Sequence, residues 1–312
     1  MNTHVLGKTG LSVSRIGLGT VEIGVAYGLD AAGLPSEQES ITLLKSVVDM
    51  GVTYIDTARG YGLAEERIGK SGISKNEEVV IGTKFGQFLK QDRDLHGIEL
   101  EKRIREDIDA SRKNLNQETL QLTQFHNELE DYTDFSQIID IAQKLQDEEK
   151  VMHVGIAVRG EAVALAAIES GFFETVQLAY NIVDQRMAEH VLKQAQEKNI
   201  GIINRSVLVK GALTSARTKL PETLALLKNH ADQADEIANS LGIDLPTLAL
   251  RFVLSNSTIS TALIGTANAN RIESALQALA DGPLPDEILG QLETLAMTDS
   301  QQIDPAKWPK VD

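Results

Sequence analysis

Cysteine is absent from the chain. That excludes a disulfide scaffold, a thiolate metal centre and a cysteine nucleophile together, and leaves the redox compartment open. Positive charge is scarce: 30 Lys and Arg stand against 45 Asp and Glu in 312 residues, a formal net charge of −15. Phosphate contacts need clustered Lys and Arg, so neither a nucleic acid nor an anionic membrane surface is expected as a partner. Long apolar runs are missing as well. No segment reaches the run of ~18 apolar residues that spans a bilayer. The opening MNTHVLGKTGLSVSRIGLGT has the apolar core of neither a signal peptide nor an anchor, so a cytoplasmic protein is expected. Low-complexity tracts, Pro/Gly/Ser linkers and long charge blocks are also lacking, and residues 1–312 are read as a single domain.

What is present is a repeat of strand-like and helix-like runs. Short runs rich in β-branched and aliphatic residues fall at residues 16–20, 52–56, 78–84, 119–126, 151–156, 175–179, 200–205 and 260–265. Several, such as VVIGTK and GIIN, are apolar without alternation, as strands buried on both faces are. Amphipathic patterns lie between them. Ser36 with Glu39 spells a capping box, after which Ile41, Leu44 and Val48 share a face until Gly51. Leu100, Ile104 and Ile108 form a second stripe, and Ile138, Ala142 and Leu145 a third. Parallel strands need a crossover helix each time, so an alternation repeated about eight times predicts an α/β fold, a (β/α)8 TIM barrel. Residues 3–13, with the turn Gly7-Lys8-Thr9-Gly10, are read as an N-terminal β-hairpin at the barrel bottom. Residues 206–258 are too long for one helix. A further helix is expected at residues 286–295, before a tail that carries the only tryptophan, Trp308.

Chemistry in such a barrel sits at the C-terminal strand ends. Asp56, Lys84 and His126 close three consecutive predicted strands, and Tyr61 follows Asp56 in the loop DTARGYG. These groups suit proton transfer to a carbonyl oxygen. A phenol has an ordinary pKa near ~10. A neighbouring ammonium is expected to lower it, and an aspartate to hold that ammonium charged. The histidine is placed to hydrogen-bond the same oxygen. The six histidines are scattered and no metal site is expected. A proton donor without a nucleophile needs an external hydride, which implies a nicotinamide cofactor.

Five stretches in combination resemble the aldo-keto reductase superfamily: GLGT at 17–20, YIDTARGYG at 54–62 followed by EERIG, GTKFG at 82–86, and QFHN at 124–127. The similarity runs from the hairpin to the last barrel helix. It implies a catalytic tetrad of Asp56, Tyr61, Lys84 and His126. It also implies reversible NADPH-linked reduction of an aldehyde, ketone or aldose, with Tyr61 as general acid, or as base in the oxidative direction. The resemblance further implies a cofactor extended across the barrel mouth, touching Gly19, Thr20 and Asp56, with Gln177 on the nicotinamide carboxamide. The family's Ser-Asn pair after the fifth strand is replaced by Ala157-Val158, which removes two side-chain hydrogen bonds to that group. Where the family has an aromatic residue after strand seven, Arg205 stands, and a planar guanidinium can stack in its place. Ser206, Leu208, Lys210 and Gly211 then line the pyrophosphate position. Gly265 and Thr266 open the last barrel helix toward an adenosine phosphate. Arg271 matches a position that grips the 2′-phosphate, which favours NADPH over NADH.

Substrate contacts are expected from the loops at residues 21–36 and 85–97 and from the tail, namely Val21, Phe85, Phe88, Asn127 and Trp308. Aromatic residues are only 4% of the chain, which weighs toward a small or sugar-like carbonyl compound. Two alternatives stand beside this reading. One is a non-catalytic, cofactor-sensing regulator on the same fold. The other is a Schiff-base aldolase using Lys84.

Overall fold

The capping box at Ser36 forms. In a computed structural model of the protein, which describes residues 3–27 and 33–309, the Glu39 N–H donates to Ser36 Oγ at 3.2 Å and the Ser36 N–H to Glu39 Oε2 at 2.8 Å. It opens α1 (Glu37–Asp49). The buried face of this helix is Ser40, Leu43, Leu44 and Val47; Ile41 and Val48 flank it half-buried, so the predicted stripe is rotated by about one residue. The stripes of α3 (Gly97–Leu115) and α4 (Ser136–Asp147) are buried as expected, with Ile141 added to the latter.

A hairpin, β1 (Thr3–Val5) with β2 (Ser12–Ser14), precedes the barrel. The barrel strands are β3 (Ile16–Gly19), β4 (Tyr54–Asp56), β5 (Val80–Phe85), β6 (Leu120–His126), β7 (Val151–Ala157), β8 (Thr175–Ala179), β9 (Gly201–Arg205) and β10 (Ile259–Gly265). All pair in parallel, and β10 returns to β3 to close the ring, as the alternation predicts. The outer layer is α1, α2 (Ala64–Ser71), α3, α4, α5 (Glu161–Glu169), α6 (Val191–Glu197), α7 (Ala225–Ser240), α8 (Leu245–Ser255) and α9 (Ala269–Ala280). The long interval after β9 therefore holds two helices as well as several single turns. Two short helices, α10 (Asp286–Glu293) and α11 (Ser300–Ile303), lead into the tail. One apolar cluster fills the space between the strands and the helices. Among the described residues no single helix is long and apolar enough to cross a membrane.

The hairpin plugs the barrel floor. Leu6 and Val13 pack into a second buried cluster with Tyr54, Val80, Leu122, Ile203 and Leu263. Gly7, at φ +55°, lies so close to β9 that a Cβ on it would fall 2.1 Å from the Gly201 nitrogen. Backbone meets backbone there, and neither side can rotate away. Gly7→Ala is therefore expected to destabilise the fold by about 1–3 kcal/mol, the usual cost of forcing a side chain into a strained backbone site. A urea midpoint equal to that of the unaltered protein would show that the hairpin does not need this contact.

Candidate active site

The parallel register delivers the predicted residues to one end of the barrel. Asp56 ends β4 opposite Gly82, Lys84 lies opposite Gln124, and His126 ends β6 opposite Ala157. The Lys84 Nζ donates to Asp56 Oδ2 at 2.7 Å and to the Thr57 carbonyl at 2.8 Å. The second carboxylate oxygen of Asp56 accepts from Gln177 Nε2 at 2.6 Å, across the barrel interior. Lys84 Nζ also sits 5.0 Å from the centre of the Tyr61 ring. The His126 ring meets Tyr61 edge-on at 6.2 Å between centroids. Asp56, Lys84, Tyr61 and His126 thus share one volume.

The loop that presents Tyr61 is pinned on both sides. Arg59 N donates to the Lys84 carbonyl at 3.1 Å and Tyr61 N to the Ala58 carbonyl at 3.0 Å, which folds DTARGYG back over β5. Gly24 packs beneath it, where a Cβ would lie 1.8 Å from the Tyr61 carbonyl oxygen. The stretch EERIG supplies two buried ties: Glu65 accepts from Thr83 Oγ1 at 2.6 Å, and Arg67 donates to the Ile23 carbonyl at 2.6 Å. The Thr20 hydroxyl donates to the Asp56 carbonyl at 2.8 Å, which ties the end of β3 to β4.

Burial governs the protonation states. It pushes the Tyr61 phenol well above its ordinary range, and the Asp56 charge pushes the same way, while Arg205 and Arg159 oppose. Lys84 directs its protons to Asp56 and Thr57 and faces the ring surface, so the lowering expected from it does not win. Burial also lowers the Lys84 pKa, against the pull of Asp56. His126 is lowered to about 3 by burial and then by the Lys84 charge, against Glu128. At neutral pH the phenol and the imidazole are therefore both uncharged and both able to donate a hydrogen bond.

Glu128 is a group the sequence reading missed. Burial alone would raise its pKa, but hydrogen bonds from Lys90 at 2.5 Å and Gln87 at 2.6 Å bring it down to about 2. Its Oε1 lies 3.7 Å from His126 Nε2. Arg159 approaches it at 3.7 Å and pairs with Asp304 of the tail at 2.7 Å. A carboxylate two residues beyond the strand-end histidine was the available signal for Glu128. No local pattern announces Arg159 and Asp304 as partners.

At the proposed cofactor end, the chain after β9 is strained. Ser206, Val209 and Lys210 adopt φ of +61°, +46° and +55°, and Gly211 +105°. A β-branched residue there is costly, and such strain concentrates at functional sites. The Val207 and Leu208 N–H groups have no acceptor among the described residues, which suits an anion such as a pyrophosphate. Gly19 pairs with Gly265 at the mouth. Thr266 Oγ1 accepts from the Asn268 N–H at 2.9 Å, and Arg271 is exposed on the first turn of α9. One amide at this helix start is already taken: Ala267 N donates to Glu22 Oε2 at 3.1 Å. Ala157 and Val158 are buried, and the Val158 carbonyl accepts from Arg205 at 3.1 Å. These donors and cations fit a nicotinamide dinucleotide.

Of the five expected substrate contacts, Phe85 and Asn127 are buried, and Val21, Phe88 and Trp308 are partly exposed. Phe85 is sealed in a cluster with Phe125, because β5 turns that side chain outward under the helices. Asn127 is buried and bonds the Tyr132 carbonyl and the Leu129 N–H, which shapes its own turn. Phe88 is half-buried with Arg103 of α3 over its ring at 4.5 Å. Trp308 is half-buried and donates its indole N–H to the Gln302 carbonyl at 2.8 Å. Val21 lies partly exposed in a short turn after β3. The predicted loop at residues 21–36 falls partly outside the described residues, at 28–32.

Comparison with known proteins agrees with this architecture. The chain is 26% identical to the L-galactose dehydrogenase of Arabidopsis thaliana over 98% of its own length and 96% of that protein. It is 25% identical to an NADH-specific methylglyoxal reductase of Escherichia coli K12, over 92% of this chain and 98% of the other. Its fold superposes on the aldo-keto reductase AKR11C1 from Bacillus halodurans, holo form, with a TM-score of 0.78 and 22% identity, covering 97% and 99% of the two chains. Residues 15–296 match the model of the Aldo/keto reductase family. The chain is a member of that family and an oxidoreductase.

Proposed function

We propose that the protein reversibly reduces an aldehyde, ketone or aldose carbonyl to the alcohol with NADPH, and that Tyr61 delivers the proton. The observation that carries this reading is the Tyr61 phenol held between Lys84 and His126 above a sealed Asp56–Lys84 pair. A reduced nicotinamide, when bound, supplies the hydride. His126 donates a hydrogen bond from Nε2 to the carbonyl oxygen and orients it. Tyr61 transfers its phenolic proton to that oxygen. The phenolate left behind is stabilised by the Lys84 ammonium under the ring and by the Arg205 charge, and it is the base in the oxidative direction.

Gly19, Thr20, Asp56, Gln177, Arg205, Ser206, Leu208, Lys210, Gly211, Gly265, Thr266 and Arg271 are the proposed cofactor contacts. Because Gln177 Nε2 is engaged on Asp56, its amide oxygen is the atom left for the carboxamide. Gln87, Lys90, Glu128 and Arg159 make a polar wall beside His126, which suits a polyhydroxylated aldose. The likeness to L-galactose dehydrogenase supports that class. An aldolase is not favoured, since the Lys84 side chain is 0% exposed and its ammonium is held by two acceptors.

The test is NADPH consumption against a panel of aldehydes, ketones and aldoses, with NADH in parallel and Tyr61→Phe as control. Turnover that vanishes in the variant supports the proposal. NADPH binding without turnover of any carbonyl turns the assignment toward a cofactor-sensing regulator.

NADH is a second reading, favoured by Glu22. Its carboxylate occupies the Ala267 amide beside Arg271, where a 2′-phosphate would meet a like charge. Glu22→Gln is expected to strengthen NADPH binding relative to NADH by about tenfold, the scale of one interaction between partly solvated charges. Fluorescence titration with both cofactors measures the ratio, and an unchanged ratio removes Glu22 from the discrimination.

A further inference from the structure

Three guanidinium groups, Arg159, Arg186 and Arg205, line a cleft at the C-terminal mouth of the barrel. Two are neutralised by carboxylates. Arg159 is paired with Asp304 at 2.7 Å, and Arg186 grips Asp184 with two bonds of 2.8 Å. Arg205 has no carboxylate in ion-pair contact among the described residues. Its hydrogen bonds go to neutral acceptors, the Val158 carbonyl at 3.1 Å and Ser206 Oγ at 3.2 Å. It ends β9, beside Ala179 of β8, on the same rim as the tetrad. Its charge acts on Tyr61, Lys84 and His126. Of these three arginines Arg205 alone has no carboxylate in ion-pair contact among the described residues; it lies partly buried next to the reacting groups, and Asp304 acts on it only at longer range.

That charge has a consequence for the redox step, resting on the function proposed above. In carbonyl reduction a C–H bond of a neutral dihydronicotinamide ring breaks, and its electron pair forms the new C–H bond at the carbonyl carbon. The carbonyl π pair takes the proton of Tyr61, and the ring is left as a cation. Carbon and oxygen are bonded neighbours, so the ring and the Tyr61 hydroxyl must approach the same small group together. A guanidinium at this rim is then near a ring that is neutral before the reaction and positive after it. In a partly buried site such like charges repel with little screening.

We propose that Arg205 sets the redox preference of the site: it selects the reduced cofactor over the oxidised one, and so makes the bound oxidised ring easier to reduce. An aromatic side chain at that position would stack on either form without discriminating by charge. Arg205 does so because its positive charge is left unpaired by the carboxylates that neutralise its two neighbours.

The test is equilibrium binding, not turnover. NADPH and NADP+ are titrated separately into the unaltered protein and into Arg205→Met, Arg205→Lys and Arg271→Leu, with NADH and NAD+ as a second pair. The unaltered protein is expected to bind the reduced form at least tenfold more tightly than the oxidised form. Arg205→Met is expected to shrink that ratio at least tenfold, and Arg205→Lys, which keeps the charge, to retain most of it. Arg271→Leu is expected to weaken both oxidation states alike. A ratio that is the same in Arg205→Met as in the unaltered protein overturns the inference while leaving the reductase assignment intact. If the unaltered, folded protein binds none of the four cofactors, the proposed function itself fails.

Discussion

Tyr61→Phe is expected to lower kcat for carbonyl reduction by about 10³-fold, within the range that general acid catalysis contributes. The substitution removes one hydroxyl and keeps the ring that packs against Lys84 and His126. Fold and cofactor affinity should therefore stay close to those of the unaltered protein. No other described group can take over the proton. His126 is uncharged at neutral pH and holds its one ring proton as a hydrogen-bond donor, and Lys84 is turned to Asp56 and Thr57. Steady-state kinetics with a cofactor titration on the same samples separate the outcomes. A variant that keeps a tenth or more of the activity would mean that a solvent molecule or another residue supplies the proton, and Tyr61 would lose its assigned role.

The second large effect concerns the ion pair beneath it. Lys84→Met keeps the length of the side chain but strands the Asp56 carboxylate, which is only 4% exposed and would retain Gln177 as its sole side-chain donor. Breaking a buried pair from one side costs about 3–5 kcal/mol, because the remaining charge has no counter-ion. Activity is expected to fall by at least ~10²-fold, since the phenolate loses the ammonium under its ring. Adding Asp56→Asn to Lys84→Met removes the stranded charge and is expected to recover much of the stability but none of the activity. Denaturation midpoints and kcat for the two single variants and the double variant make the comparison. Equal stability in Lys84→Met and the double variant would show that the pair is not what holds this end of the barrel.

The two effects have different origins, and the chain shows why only part of this was legible in advance. The strand segments, their order and the stripes of α3 and α4 follow from local periodicity, and the structure agrees within a residue or two at most ends. Asp56, Lys84 and His126 were readable because a closed parallel barrel gathers the C-terminal ends of its strands at one rim. The stripe of α1 was misplaced by one residue, since Ile41 and Val48 border the face that Leu43 and Val47 bury. Phe85 and Asn127 are buried for a related reason. Both stand next to tetrad residues in sequence, but successive strand residues point to opposite faces and the turn after β6 consumes the Asn127 amide.

By itself the sequence determined the alternation, the barrel that the alternation requires, and the identity of the groups at its rim. All of these depend on spacings within a strand, a helix or a short loop. Tertiary structure alone decided how those groups are charged and what they face. Gln177 meets Asp56 across 121 residues of sequence, Glu22 caps Ala267 across 245, and Arg159 reaches Asp304 across 145. Such contacts carry no local signature, because ring closure brings together strand ends and loops that are remote along the chain. The same closure excludes water. It keeps the Tyr61 phenol protonated and the His126 imidazole neutral and holds Lys84 on Asp56, and it leaves Arg205 with no carboxylate in ion-pair contact among the described residues.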